Sequence, residues 1–274
     1  MKLGFIGGGN MAQALIIGLN SQKFAMQDIT VIELDANKRA ELSRDLGVNT
    51  TNELTSIQAC AVIVLAIKPQ QLPMLAKTLA PLLKQQLVIS IAAGIRLADL
   101  SRWLGDYQTI IRAMPNTPAQ IQAGITGLVA MPNVSKAHIA LADQVLSAAG
   151  ATLWLDAEEK LDAVTAISGS GPAYVFYLIE ALQAAALSLG LSESQAKQLS
   201  LATFKGASLL ADASTMPIAT LREQVTSKGG TTEQGLLSLQ QSQVKEAIVL
   251  AAQKACVRAK TLGVELGSDE LGSI

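Results

Sequence analysis

Histidine occurs once in this chain, cysteine twice, and aromatic residues make up only 3% of it. Each shortage removes a class of chemistry. His138 lies in a polar stretch with no nucleophile pattern around it, so a Ser-His-Asp triad lacks its base. Cys60 and Cys256 are far apart and in no metal-ligand spacing, which argues against a zinc site or disulfide framework and for two buried apolar thiols. No paired-carboxylate motif is evident. The 21 Lys and Arg nearly balance the 22 Asp and Glu, with no basic block, so a nucleic acid would find no electrostatic hold. No uninterrupted apolar run reaches the roughly 18 residues of a membrane-spanning helix. Gly7, Gly8, Gly9, Asn10 and Gln13 interrupt what would be the apolar region of a signal peptide. The expectation is a soluble cytoplasmic protein acting on a small molecule.

What is present is aliphatic. Half of the 274 residues are hydrophobic and 16% are charged, enough apolar material for one large domain or two ordinary ones. Residues 2–6 (KLGFI), 28–34 (DITVIEL), 61–67 (AVIVLAI), 87–93 (LVISIAA), 109–114 (TIIRAM) and 125–130 (ITGLVA) read as strands. Between them, MAQALIIGL, residues 36–46, 72–83 and 97–104 read as helices. This alternation predicts βαβ units and a doubly wound α/β sheet over residues 1–155. Strand-like runs then disappear, and residues 156–274 read as an all-α domain. Its helices are residues 158–190 broken at SGSGP, a helix opened by a Ser192/Gln195 capping box, one entered at Pro217, and residues 243–263 ended by Gly263.

GFIGGGNMA, residues 4–12, places Gly7-x-Gly9-x-x-Ala12 between the first strand and the first helix. Gly7 permits a tight turn, Gly9 lets a pyrophosphate approach the backbone, and Ala12 lets the helix sit close to the strand. Ile6, Gly8, Asn10 and Met11 complete this candidate cofactor turn, and the helix N-terminus offers free N–H groups to the phosphates. Glu33, about 20 residues further on, suits the adenosine ribose hydroxyls and would repel a 2′-phosphate. Lys38 and Arg39 follow it, either as ligands for such a phosphate or as solvated charges in the first turns of a helix.

Four further loops attract notice. AIKPQ (66–70) and MPNTP (114–118) end strands on the edge where open α/β sheets bind ligands. SGSGP (168–172) puts glycines, each costing about 1 kcal/mol relative to Ala, inside a helical region; a close backbone or cofactor approach and a simple kink account for them equally. VTSKGGTT (225–232) is a small, polar, glycine-rich stretch between helices. It reads either as an N-capped loop or as a nest of amides around Gly229, Gly230, Thr231 and Thr232 for a carboxylate, with Ser227, Thr231 and Thr232 hydroxyls beside it.

These five motifs, in this order and approximate spacing, resemble the pyrroline-5-carboxylate reductase family over nearly the whole chain; SGSGPAY with VTSKGGTT is the specific part. The resemblance implies a Rossmann domain followed by a helical dimerisation domain, with the active site between them and shared by two subunits. It implies reduction of Δ1-pyrroline-5-carboxylate to L-proline with NADPH or NADH, and dimers that in some members assemble into decamers. By motif, Gly7 to Ala12 would hold the pyrophosphate, and Ala66, Ile67, Lys68, Pro69, Ile91, Ala92 and Ala93 would line the cofactor, with Asn52 a looser match. Amides near Gly230 and Thr231 would take the substrate carboxylate, Thr232 the ring nitrogen, and Glu158 and Gln224 would contact substrate or product. Glu33 and Leu34 stand where many members carry a small polar residue and an Arg, which implies a weakened preference for NADPH.

Competing readings remain distinguishable. A β-hydroxyacid dehydrogenase would need a catalytic lysine on the first helix of the α-domain, where Lys160 is the one candidate. A deazaflavin-dependent NADP reductase shares the architecture. A dinucleotide-binding regulator would bind cofactor without turnover, and a purely structural protein leaves the glycines unexplained.

Overall fold

Four apolar residues in a row with no polar alternate, as in VIVL at 62–65, suit a strand covered on both faces. In the computed structural model, which describes residues 1–267, that stretch is β4 (Val62–Leu65), near the middle of an eight-stranded sheet. The other strands are β1 (Leu3–Ile6), β2 (Ile29–Ile32), β3 (Asn49–Thr51), β5 (Leu87–Ser90), β6 (Ile110–Met114), β7 (Gly124–Ala130) and β8 (Gly150–Trp154). Their order is β3-β2-β1-β4-β5-β6-β7-β8. The first six are parallel, which is the doubly wound arrangement.

Alternate residues feed two separate cores. Val62, Val64, Leu87 and Ile89 face α1 (Asn10–Ser21), α2 (Ala36–Leu46) and α5 (Lys136–Leu146). Ile63, Leu65 and Val88 face α3 (Leu72–Leu79), α4 (Leu97–Trp103), α6 (Lys160–Val164) and the end of α11 (Val244–Gly267). Leu, Ile, Val and Ala fill both cores; Phe5 is the one aromatic among the largest fully buried side chains.

The sheet departs from the expected pattern at its far edge. The short link from β6 to β7 holds only a 3-10 turn, Thr117–Ile121, too little for a crossover, so β7 runs antiparallel to β6. β8 then pairs parallel to β7. β8, the short polar β3 and α5 are elements that apolar periodicity did not flag. α5 starts where the Ser135 hydroxyl accepts the His138 N–H at 3.2 Å. Cys60 is buried and Cys256 half-buried, so only the first fits the expected apolar thiol.

The described chain forms two compact units, residues 1–170 with the segment from Ala255 onward, and residues 171–254. They do not coincide with a cut near residue 155. The physical reason is that α6 buries Leu161 against the sheet, and α11 returns Leu266 to the same core. Gly263, expected to end the last helix, lies inside α11 instead. A Cβ there would stand 2.8 Å from the Arg96 Nε and 3.3 Å from the Gly94 carbonyl, so the glycine serves close packing rather than termination. The SGSGP break proves to be a π turn, Thr165–Gly169, after which the chain continues as α7 (Gly171–Ser188). In the second unit α7 packs against α8 (Glu193–Asp212), whose Ser192–Gln195 capping box forms as expected. α9 (Ile218–Gln224) follows Pro217 and α10 (Thr231–Gln241) follows the glycine loop.

Two ion pairs fix the start of the helical segment, one to β6 and one to the residue that precedes α4. Arg112, on β6 and 4% exposed, donates to Glu158 Oε1 at 2.7 Å. The same oxygen accepts the Leu97 N–H at 2.8 Å, capping α4. Arg96 donates to the buried Asp162 at 2.7 Å. Glu158→Leu leaves the buried Arg112 charge without its partner, and the expected loss is about 3 kcal/mol of unfolding free energy. Adding Arg112→Met should recover part of it. Urea denaturation of both variants checks this; a double variant no more stable than the single one would refute it.

Candidate functional site

The nucleotide-binding half is built at the C-terminal ends of β1, β2, β4 and β5. Strand order reverses between β1 and β4, so the chain departs in opposite directions and a crevice opens there. Ile6 is buried at the end of β1, and Gly7 turns with φ +94° while its N–H bonds the Ile32 carbonyl at 2.8 Å. A Cβ on Gly7 would lie 2.6 Å from the Ala66 carbonyl oxygen. Gly9, the N-cap of α1, has no side-chain cap, and a Cβ built there meets nothing nearer than the Ala66 oxygen at 4.0 Å. Gly7 is therefore demanded by the protein, whereas the space over Gly9 is open for an approaching group. Asn10, Met11 and Ala12 form the first turn of α1, whose amides have no intrahelical acceptor. These features fit a dinucleotide pyrophosphate.

The remaining predicted cofactor residues gather on this edge. Ala66 and Ile67 are half-buried at the end of β4, Lys68 is exposed, and Pro69 opens a short 3-10 turn. Ile91, Ala92 and Ala93 follow β5, with Ala92 buried. Asn52 is exposed just past β3, whose Thr51 carbonyl accepts the Glu33 N–H at 2.9 Å. Glu33 ends β2 and accepts the Gly8 N–H at 3.1 Å through Oε2. Its Oε1 accepts the Leu34 and Asp35 N–H groups at 2.8 and 3.3 Å, and Lys38 stands 3.3 Å from Oε2. Partial burial pushes the Glu33 pKa up, but the Gly8 and Asp35 amides and Lys38 outweigh it and hold the carboxyl below its ordinary value.

The MPNTP and SGSGP loops are joined. The Asn116 amide donates to the Ser168 carbonyl at 3.1 Å and accepts the Ile125 N–H at 2.9 Å. Asn116 thus ties the π turn to the end of the sheet. Arg112 and its pairing with Glu158 went unread in the sequence, although a lone arginine inside the apolar strand IIRAM is the signal of a buried ion pair. Glu158 Oε1 is engaged in that pair, leaving Oε2 for any further contact. Lys160, the candidate acid of the hydroxyacid reading, is an exposed residue paired with Asp156 at 2.6 Å; such a surface pairing gives no sign of a catalytic acid.

The VTSKGGTT loop lies in the 171–254 unit. Gly229 takes φ +73° and its N–H bonds the Glu233 carboxylate at 2.7 Å. The Gly230 N–H bonds the Ser227 carbonyl at 3.0 Å, so neither glycine amide is open to a ligand. The nest thus narrows to Thr231 and Thr232, exposed in the first turn of α10, where helix amides lack internal acceptors. Gln224 is exposed at the end of α9 and its amide donates to the Met216 sulfur at 3.4 Å. Among the described residues no group of three or more His, Cys, Asp or Glu could hold a metal. No described helix is long and apolar enough to cross a membrane.

The doubly wound sheet, the glycine turn at its switch point and the acidic end of β2 define a nicotinamide-dependent oxidoreductase. Residues 2–94 match a family model described as NADP oxidoreductase coenzyme F420-dependent, and residues 158–262 one described as pyrroline-5-carboxylate reductase dimerisation. The chain is 42% identical over 268 residues to the pyrroline-5-carboxylate reductase of Pseudomonas aeruginosa, covering 96% of this chain and 98% of that one. It superposes on the Coxiella burnetii pyrroline-5-carboxylate reductase with a TM-score of 0.91 at 38% identity, covering 95% of this chain and 98% of the other. A Plasmodium falciparum pyrroline carboxylate reductase, solved with NADP bound, gives 0.86 at 29% identity over 96% of this chain and 98% of that one. The chain belongs to the pyrroline-5-carboxylate reductase family.

Gly7→Ala tests the nucleotide half. Both its φ and the Ala66 oxygen oppose a Cβ, so the variant should lose nucleotide binding by at least about tenfold, the equivalent of 1.4 kcal/mol, and melt at a lower temperature. Calorimetric titration with NADH beside a thermal melt checks this, and an unchanged Kd would contradict it.

Proposed function

We propose that this chain reduces Δ1-pyrroline-5-carboxylate to L-proline with NAD(P)H, the last step of proline biosynthesis. The observation that carries the reading is the near full-length relationship to reductases of that substrate, joined to a nucleotide cradle that is open over Gly9. Gly7 to Ala12 hold the pyrophosphate, and Ala66 to Pro69 with Ile91 to Ala93 line the rest of the cofactor. When bound, the reduced nicotinamide supplies a hydride to C5 of the ring. The Thr231 and Thr232 amides and the positive end of α10 hold the substrate carboxylate, with Ser227 beside them. The Thr232 hydroxyl hydrogen-bonds the ring nitrogen and keeps the protonated imine oriented. A protonated cyclic imine is already a strong electrophile, so orientation carries most of the work and no strong general acid is needed.

In functional terms, residues 1–155 carry the cofactor, and residues 156–274 carry substrate binding and self-association. The helical segment matches a dimerisation model and leaves large apolar side chains in water. Phe176 is 65% exposed, Tyr177 72% and Leu210 61%. A second copy covers such surface most economically, giving a homodimer; a decamer of five dimers is the larger assembly that the family resemblance suggests. Sedimentation of the native protein should give a dimer or a multiple of it, and a monomer at micromolar concentration would refute this assignment.

Thr232→Ala should lower kcat/KM for pyrroline-5-carboxylate by about tenfold, the worth of one good hydrogen bond. Thr232→Ser should retain most of the activity. Following oxidation of NADH and NADPH in steady state checks both. An alanine variant as active as wild type would remove Thr232 from the mechanism, and wild-type protein that binds nucleotide but never turns this substrate over would overturn the proposed reaction.

A further inference from the structure

An asparagine placed before a helical turn ordinarily caps it, its side-chain oxygen taking an N–H of the first turn. Asn116 has that place. It stands directly before the 3-10 turn Thr117–Ile121, and its carbonyl accepts the Ala119 N–H at 3.1 Å. Its side chain nevertheless makes no cap. The amide reaches outward instead, donating through Nδ2 to the Ser168 carbonyl at 3.1 Å and accepting the Ile125 N–H through Oδ1 at 2.9 Å. One side chain thus connects the loop after β6, the start of β7 and the π turn Thr165–Gly169. The two bonds fix the orientation of the amide, because exchanging its oxygen and nitrogen would set acceptor against carbonyl and donor against N–H.

The π turn is otherwise held from within the helix. The Ser170 N–H closes it on the Thr165 carbonyl at 2.8 Å. The Thr165 and Ser168 hydroxyls bond back to the carbonyls of Leu161 and Val164, at 2.8 and 3.0 Å. Such turns are rare in helices and gather at functional sites. This one rests on the end of β6: a Cβ on Gly169 would stand 2.8 Å from Met114 Cε, and Met114 is the last residue of that strand. Asn116, two residues further on, fastens the same turn from the sheet side.

A dinucleotide on a doubly wound sheet lies across the strand ends on both sides of the switch point. With the pyrophosphate at the β1 turn and the adenosine half toward β2, the nicotinamide half falls to the ends of β4, β5 and β6. The π turn stands over the last of these. We infer that Asn116 is a positioning residue for hydride transfer: by holding the Ser168 carbonyl it sets the distance of the π turn from the end of β6, and with it the wall against which the nicotinamide ring lies. The inference rests on the nucleotide site and reaction proposed above and concerns their nicotinamide end. Asn116 acts through the turn and takes no part in bond making. Its influence on rate comes from the steepness of hydride transfer with geometry, where a misplacement of about 1 Å can cost about a hundredfold. The same side chain bonds Ile125, so the wall is referred to the sheet itself and not to a free loop.

Asn116→Asp tests this with little change of shape. It keeps an acceptor for the Ile125 N–H but sets a carboxylate oxygen against the Ser168 carbonyl. The variant should hold its Kd for NADH within about twofold and lose about tenfold in kcat, with a larger isotope effect from NADH deuterated at nicotinamide C4 as the hydride step slows. Acid should relieve it. Once protonated, the new carboxyl donates again, so kcat relative to wild type should rise as pH falls. A loss of general stability would not recover in that way. Asn116→Ala removes both bonds without adding charge, and so tests the same point if the carboxylate unsettles the fold; it should lose kcat at least as much and show no recovery in acid. The emission of bound NADH reports the surroundings of the nicotinamide without turnover, and it should differ from wild type in both variants. Wild-type kcat in either variant, a loss in Asn116→Asp that acid does not relieve, or a loss seen only as weaker nucleotide binding overturns the inference. Wild-type protein that binds NADH but never reduces pyrroline-5-carboxylate overturns the proposed reaction instead. The emission then decides on Asn116 by itself, and a spectrum unchanged in both variants overturns its role.

Discussion

One close approach governs the nucleotide end of this protein. The turn leaving β1 passes so near the Ala66 carbonyl at the end of β4 that a side chain on Gly7 cannot be accommodated. Because β1 and β4 are neighbours, that contact lies where the chain departs in opposite directions from the sheet. The glycine lets α1 begin at Asn10, directly over the strand ends, with its first amides unbonded. A bulkier turn would have to swing α1 outward, and Ala12, Leu15, Ile16 and Leu19 would leave the core they share with Val31 and Val64. The residue that opens the ligand crevice is thus also the one that allows the largest helix face to be buried. Binding and stability have the same geometric origin here.

Elsewhere the sheet is held by charge in a way its composition conceals. With few aromatics available, the core is aliphatic and nondirectional. Direction comes from Arg112 and Asp162, two charges with almost no exposure, which tolerate only certain partners in certain places. A buried ion pair adds little net stability compared with apolar packing, but it is intolerant of misplacement. Glu158 serves Arg112 and the start of α4 together, while Arg96, just before α4, takes Asp162. The segment entering α6 is fixed in register by these bonds, and Asn116 extends the same control to the π turn through Ser168. The polar loops at the end of β6 are ordered by this network.

The parts legible in the sequence were those governed by local physics. β1, β4, β5 and β6 announce themselves as apolar runs, α2 is found with its bounds, and the capping box at Ser192 needs only four residues to be recognised. The glycine turn was legible because its strand and helix flank it. What was missed depends on distant partners. β3 is three polar residues that become a strand only because β2 offers an edge, and β8 becomes one only beside β7. The Gly263 error has the same source, since a glycine that ends a helix and one that admits an arginine look alike until the arginine is found. Within the VTSKGGTT loop, spacing pointed to four amides. It did not show that Ser227 and Glu233 take the two on the glycines.

That last detail has a counterpart at the other glycine-rich loop, and the two explain each other. At residues 7–12 a glutamate from outside the loop, Glu33, bonds the amide of Gly8; at residues 227–232 Glu233 bonds the amide of Gly229. Glycine-rich backbone loses much conformational freedom on ordering, and an empty nest of like dipoles does not order itself. An internal carboxylate neutralises one edge of each nest before any ligand arrives. The loop is then held in its binding shape, and the ligand need not supply the free energy of ordering it. The cost is chemical: each internal anion also repels a second anion that comes too close. At Thr231 and Thr232, in the first turn of α10, the amides have no acceptor within the helix. Around Glu33 three amides, those of Gly8, Leu34 and Asp35, converge on the one carboxylate. The placement of one carboxylate relative to its loop therefore fixes which backbone donors a glycine-rich turn leaves available.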